Sequence, residues 1–311
     1  MKKFSKKRLF LFITFLLIAI TSVLSCASYL YNKSIEDQCR EANLTIKSVD
    51  TPDFKIVYAE GGTGDTIVMV HGNGASKDVW LSFAKYLTPN YRVIIPDLPG
   101  MGDSSKPLDK NYNIMSQMER LSLFAKKLNL TKFHLVGNSM GGTIAGNYAA
   151  TYPEMVKTLA LFDSAGVVSP IKSERDLLFE KGINLLIVKD VNDYDKLLQT
   201  TFVKPPQLPS FIKKYLTEQA MKAAPFNEKI YKDLTDSDIS LLESKLNKIT
   251  APTLIVWGDS DKVIHISSLG IFEKNIKKSK SAIIKECGHL PMMEKPDETA
   301  LIYHDFLKEK N

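Results

Sequence analysis

The chain has 311 residues, 44% hydrophobic and 24% charged, a balance that suits a folded protein long enough to bury a sizeable core. Its net charge of +6 does not mark a nucleic-acid binder: five of the 41 basic residues lie in the first eight positions, and the 36 left nearly cancel 35 acidic ones. Three cysteines without Cys/His ligand spacing exclude a disulfide framework and a thiolate metal site, so no metal or cofactor is expected.

Lys2, Lys3, Lys6, Lys7 and Arg8 precede "LFLFITFLLIAITSVLSCAS", and no further charge occurs until Lys33. A basic flank before a long apolar run is the pattern of a signal sequence or membrane anchor. Residues 1–30 are expected to be an uncleaved signal-anchor or a lipoprotein signal ending at Cys26. Either tethers the chain to a membrane and, in a bacterium, leaves the remainder outside the cytoplasm, in the periplasm or at the cell surface. Residues 31–52 are polar and read as a linker.

Apolar, β-branched runs then alternate with helical patterning. They are "TIVMV" (66–70), "YRVIIP" (91–96), "KFHLVG" (132–137), "KTLALF" (157–162), "TLIVW" (253–257) and "SAIIK" (281–285). Strands that are apolar throughout are covered on both faces. "SQMERLSLFAKKLNL" gathers Met118, Leu121, Phe124 and Leu128 at helical spacing, as an amphipathic helix does. The alternation predicts a mostly parallel α/β sheet with helices on both faces, built from residues 53–166 and 250–311. Between them, residues 167–249 have helical patterning, a "KPPQLP" segment at 204–209 and no convincing strand. They are expected to form a helical cap over the carboxyl ends of the strands, where ligands bind in such sheets.

The chemistry-bearing motif is Gly137-Asn138-Ser139-Met140-Gly141, a G-x-S-x-G that follows a strand and opens into a helix. Small residues two positions either side of Ser139 let strand and helix approach closely, so the serine stands on a tight, strained turn. A serine hydroxyl needs a base oriented by an acid. His289, in "ECGHLPMMEKP" after the last strand, supplies the base. Three carboxylates compete to orient it. Asp261 is preferred because the loop must turn before reaching His289; Asp259 suits the turn itself, and Asp163 also ends a strand. The oxyanion donors are expected from the Met140 N–H and from Asn73 in "HGNGAS", with His71 bracing that loop.

Together, "HGNGASKDVW", "IIPDLPGMGDSSKP", "LVGNSMGG", "VKPPQLP", "IVWGDSDKVI" and "CGHLPMMEKP" resemble the α/β-hydrolase superfamily. Within it they look like bacterial lipases of the Moraxella and Psychrobacter lipase 1 type and membrane-anchored monoacylglycerol lipases. The resemblance implies an α/β-hydrolase fold and Ser139 as nucleophile, with His289 as base and Asp261 as acid. It places Asn73 and Met140 at the oxyanion hole and implies fatty-acyl ester substrates. Two other readings accompany it: a carbon–carbon bond hydrolase or cofactor-free perhydrolase with a similar triad, and a non-catalytic binding protein on the same fold.

Overall fold

The computed structural model describes residues 26–235 and 239–309. Eight strands form one sheet: β1 (Leu44–Asp50), β2 (Lys55–Gly61), β3 (Thr66–Val70), β4 (Arg92–Pro96), β5 (Phe133–Asn138), β6 (Val156–Phe162), β7 (Thr253–Gly258) and β8 (Ser279–Ile284). Their order is β1-β2-β4-β3-β5-β6-β7-β8. Only the β1–β2 and β2–β4 pairings are antiparallel; β4 through β8 run parallel. This is the α/β-hydrolase fold. The loops after β3, β5, β6, β7 and β8 therefore all emerge at one edge of the sheet.

Strand β3 shows why the buried runs are apolar throughout. Val68 and Val70 join one core layer, Ile67 and Met69 the other. On the first side lie α3 (Ile114–Lys127), α4 (Met140–Thr151) and α8 (Leu269–Asn275), bringing Met118, Leu121, Phe124, Ile144 and Phe272. On the other lie α1 (26–41), α2 (Leu81–Ala84) and α10 (Pro296–Lys308), bringing Cys39, Phe83, Tyr303 and Phe306. Burial of this kind contributes about 1.5–3 kcal/mol for each large side chain.

Between β6 and β7, every described element is helical: α5 (Glu174–Glu180), α6 (Val191–Thr201), α7 (Ser210–Thr235) and a 3₁₀ stretch over Ile239–Lys248. This insertion meets the loops at the sheet's carboxyl edge. A Cβ on Gly74 would stand 3.2 Å from Leu186, and one on Gly100 would stand 3.1 Å from Phe226.

Residues 31–52, expected as a linker, instead hold most of α1 and all of β1. Neither advertises itself. The buried positions of α1 are small residues, Ala27 and Cys39, and β1 is an edge strand that buries only Leu44. The expected anchor falls mainly on residues 1–25, outside the described residues. Among the described residues no helix is long and apolar enough to cross a membrane. Cys26 is exposed at the start of α1, while Cys39 and Cys287 are free and buried.

Candidate active site

Ser139 sits between β5 and α4 with φ 56° and ψ −123°, a conformation that costs a non-glycine residue about 1–3 kcal/mol. The surroundings impose it. Its N–H donates to the Phe162 carbonyl at 3.1 Å. Its own carbonyl accepts from the N–H groups of Gly142, Thr143 and Ala165. The flanking glycines are there for space: a Cβ on Gly137 would lie 2.2 Å from the Gly141 oxygen, and one on Gly141 would lie 2.3 Å from the Val70 oxygen. The turn holds Ser139 half-buried, at the start of α4, where first-turn N–H groups lack intrahelical acceptors and favour negative charge. Met140 supplies the first of those N–H groups.

The loop after β3 is pressed onto this elbow, since a Cβ on Gly72 would stand 3.0 Å from the Ser139 Cβ. Asn73 is partly buried in it. His71 braces the loop from below. The Leu98 N–H donates to His71 Nε2 at 2.9 Å, so the ring proton is on Nδ1, which donates to the Gly72 carbonyl at 2.8 Å. Burial pushes the His71 pKa down and keeps the ring neutral in this tautomer.

A second brace is ionic and was not legible in the motif. Lys77, 3% exposed, lies 3.1 Å from fully buried Asp97 and 2.6 Å from Asp103. Asp97 also accepts the Lys77 backbone N–H at 2.6 Å and the Asp103 N–H at 2.8 Å. Burial pulls the Lys77 ammonium down, but Asp97, Asp78 and Asp103 outweigh it and hold its pKa above the ordinary lysine value. The network ties the loop after β3 to the loop after β4. Removing one partner would strand a buried charge.

His289 and Asp261 come together although 28 residues separate them. His289 Nδ1 lies 2.8 Å from Asp261 Oδ2, and both residues are 6% exposed. The other oxygen, Oδ1, accepts the N–H groups of Val263 at 2.7 Å and Ile264 at 3.1 Å, which fixes the carboxylate's direction. Asp259 points elsewhere: the Ser260 hydroxyl donates to it at 2.9 Å, and its N–H closes onto the Ile284 carbonyl.

Asp163 is the neighbour that complicates the choice. It is fully buried, and it, Asp261 and His289 present ligating atoms within 4.8 Å of one another. Such a trio could hold a metal ion, yet two of its members are already hydrogen-bonded to each other, and one Asp163 oxygen accepts the Gly258 N–H at 2.9 Å. Burial first, and the Asp261 charge second, push the Asp163 carboxyl well above its ordinary range. Both causes favour the protonated form of Asp163, whose second oxygen is buried without a hydrogen-bond partner.

Asn138 links the two halves of the site. Its buried side-chain NH₂ donates to the Phe162 carbonyl at 3.1 Å and to the His289 carbonyl at 3.0 Å. It occupies a variable position of G-x-S-x-G, so the motif carries no signal for it.

The sequence profile of the alpha/beta hydrolase fold matches residues 65–296. The chain belongs to the alpha/beta hydrolase fold family. It is 35% identical to Lipase 1 of Psychrobacter immobilis over 280 residues, covering 88% of this chain and 87% of that one. It is 31% identical to a monoacylglycerol lipase of Xenopus laevis over 281 residues, covering 86% and 83%. Among solved structures it resembles a bacterial membrane phospholipase A, a virulence factor, at 42% identity and a TM-score of 0.90, covering 98% of this chain and 99% of that one. The resemblance read from the motifs thus holds across most of the chain.

Proposed function

We propose that the chain is a serine ester hydrolase that cleaves acylglycerols or related lipid esters through an acyl-enzyme. The observation that carries this reading is the buried 2.8 Å Asp261–His289 pair, tied through Asn138 to the strained elbow that presents Ser139. Ser139 Oγ attacks the ester carbonyl while His289 Nε2 takes its proton. Asp261 orients the ring and stabilises the imidazolium. The N–H groups of Met140 and Asn73 receive the developing oxyanion, each worth about 3 kcal/mol. His289 then gives the proton to the leaving alcohol. Water repeats the cycle and releases the fatty acid.

The lipid character of the substrate rests on the lipases and the membrane phospholipase among the relatives. Residues 167–249 act as the cap over the eight-stranded sheet and its flanking helices, and the N-terminal segment tethers the enzyme to a membrane with its catalytic domain outside the cytoplasm. That arrangement suits a sparingly soluble substrate.

A fluorophosphonate probe tests the nucleophile. Wild type is expected to label and Ser139→Ala to stay unlabelled; no labelling, or equal labelling of both, refutes the assignment. A panel of p-nitrophenyl esters, mono-, di- and triacylglycerols and phospholipid vesicles identifies the substrate. Turnover of at least one lipid ester, lost in Ser139→Ala, is expected.

A further inference from the structure

The backbone of His289 is held partly by the insertion and not by the sheet alone. Its N–H donates to the carbonyl of Thr201, the last residue of α6, at 2.8 Å. The approach is close: a Cβ on Gly288 would lie 2.4 Å from that oxygen and 3.1 Å from the Phe202 Cα. The segment leaving α6 is the proline-containing "FVKPPQLP", stiffened at Pro205, Pro206 and Pro209.

One side chain fastens this strap to the histidine loop. Glu294 ends the short helix α9 (Pro291–Glu294), which folds back over the loop. Its Oε2 accepts the Gly288 N–H at 2.8 Å, and its Oε1 accepts the Lys204 N–H at 2.8 Å. The two oxygens of one carboxylate therefore bridge the residue before His289 and the strap. Hydrogen bonds to an ionised acceptor are stronger than neutral ones. The Lys204 ammonium adds little, lying 3.6 Å from Glu286 with both side chains exposed.

We propose that Glu294 is a positioning residue: it clamps the strap to the His289 loop, so that the seated insertion completes the alignment of His289. The proposal rests on the serine-hydrolase reading. With the strap lifted, Glu294 loses the Lys204 N–H and His289 loses the Thr201 carbonyl. Among the described residues, the histidine backbone then keeps only its tie to Asn138, and an ångström of drift in a catalytic group can cost about 100-fold in rate.

The test uses p-nitrophenyl butyrate, with active sites counted by fluorophosphonate titration. Glu294→Gln leaves one acceptor for two donors and is expected to lower kcat about 10-fold with KM little changed; Glu294→Ala should lower it up to about 100-fold. Lys204→Pro removes the strap's N–H, together with an exposed ammonium that adds little, and should act in the same direction. Its effect should largely vanish when combined with Glu294→Ala, because both remove the same link. Should Glu294→Ala fail to fold, Glu294→Gln and Lys204→Pro decide. Wild-type kcat per titrated site in Glu294→Gln, with only a lower Tm, overturns the proposal. So does full additivity of the strap and clamp variants. If wild type itself neither labels nor turns over, the serine-hydrolase reading falls first; if it does both and the variants match it, only the role of Glu294 falls.

Discussion

Replacing Asp261 by Asn separates orientation from charge at the site. Asp261 Oδ1 accepts two backbone N–H groups, from Val263 and Ile264, and Oδ2 faces His289 Nδ1. An asparagine must choose which end keeps its carbonyl. Turning its NH₂ toward Val263 and Ile264 would leave two backbone donors without an acceptor, at about 1–3 kcal/mol each. The carbonyl therefore stays there and the NH₂ points at His289 Nδ1. That nitrogen must then accept, the ring proton moves to Nε2, and Nε2 can no longer take the proton of Ser139. A wrong tautomer in a serine triad costs roughly 10⁴ in kcat, which is about 5 kcal/mol of transition-state stabilisation. The fold should barely notice, since the backbone bonds survive. The assay is kcat for p-nitrophenyl butyrate on titrated enzyme, beside a thermal melt. Asp261→Asn activity within 10-fold of wild type would refute the assignment of the acid.

Asp163→Asn should keep most activity, because burial already favours an uncharged group at this position and the amide carbonyl still accepts the Gly258 N–H. The raised Asp163 pKa makes the folded state bind a proton that the unfolded chain releases, so stability falls as pH rises from about 4 toward the folded value; the variant's Tm should decline less over that range. His134 behaves oppositely. Burial, then the Lys157 charge, depress it to about 4, so its contribution is present above about 6.5 and is lost as pH falls toward 4. That amounts to about 3 kcal/mol, and urea titrations of His134→Gln at pH 7 and pH 4.5 should show a smaller acid loss than wild type. Gly141→Ala puts a Cβ 2.3 Å from the Val70 oxygen and 2.6 Å from the His71 oxygen, both backbone. It should cost about 1–3 kcal/mol in urea unfolding and lower kcat by displacing the Asn73 loop.

Legibility followed burial. Strands β3 to β7 were readable because each is covered on both faces and written as an apolar run ending in turn residues, and β8 was readable from its "SAIIK" run although it buries only Ile284. β1 was not, because "LTIKSVD" buries only Leu44 and breaks its apolar residues with Thr45, Lys47 and Ser48, where β8 keeps a continuous Ala282-Ile283-Ile284 run. The ties formed by Asn138, Lys77 and Glu294 were equally hidden. Each bonds to backbone groups or charges brought near only by folding, and side-chain type alone does not name a partner.

The sequence by itself determined the chemical inventory and its placement: a serine between glycines after one strand, an acidic loop after another, a histidine after the last. Parallel strands in that order must deliver their loops to one edge of the sheet. Which aspartate meets His289 was decided only by the tertiary structure. Asp259, Asp261 and Asp163 all end or follow a strand, and the need for the loop to turn favoured Asp261 while leaving the other two in play. The turn after β7 ranks them, by spending the Val263 and Ile264 N–H groups on one Asp261 oxygen and thereby aiming the other at the ring.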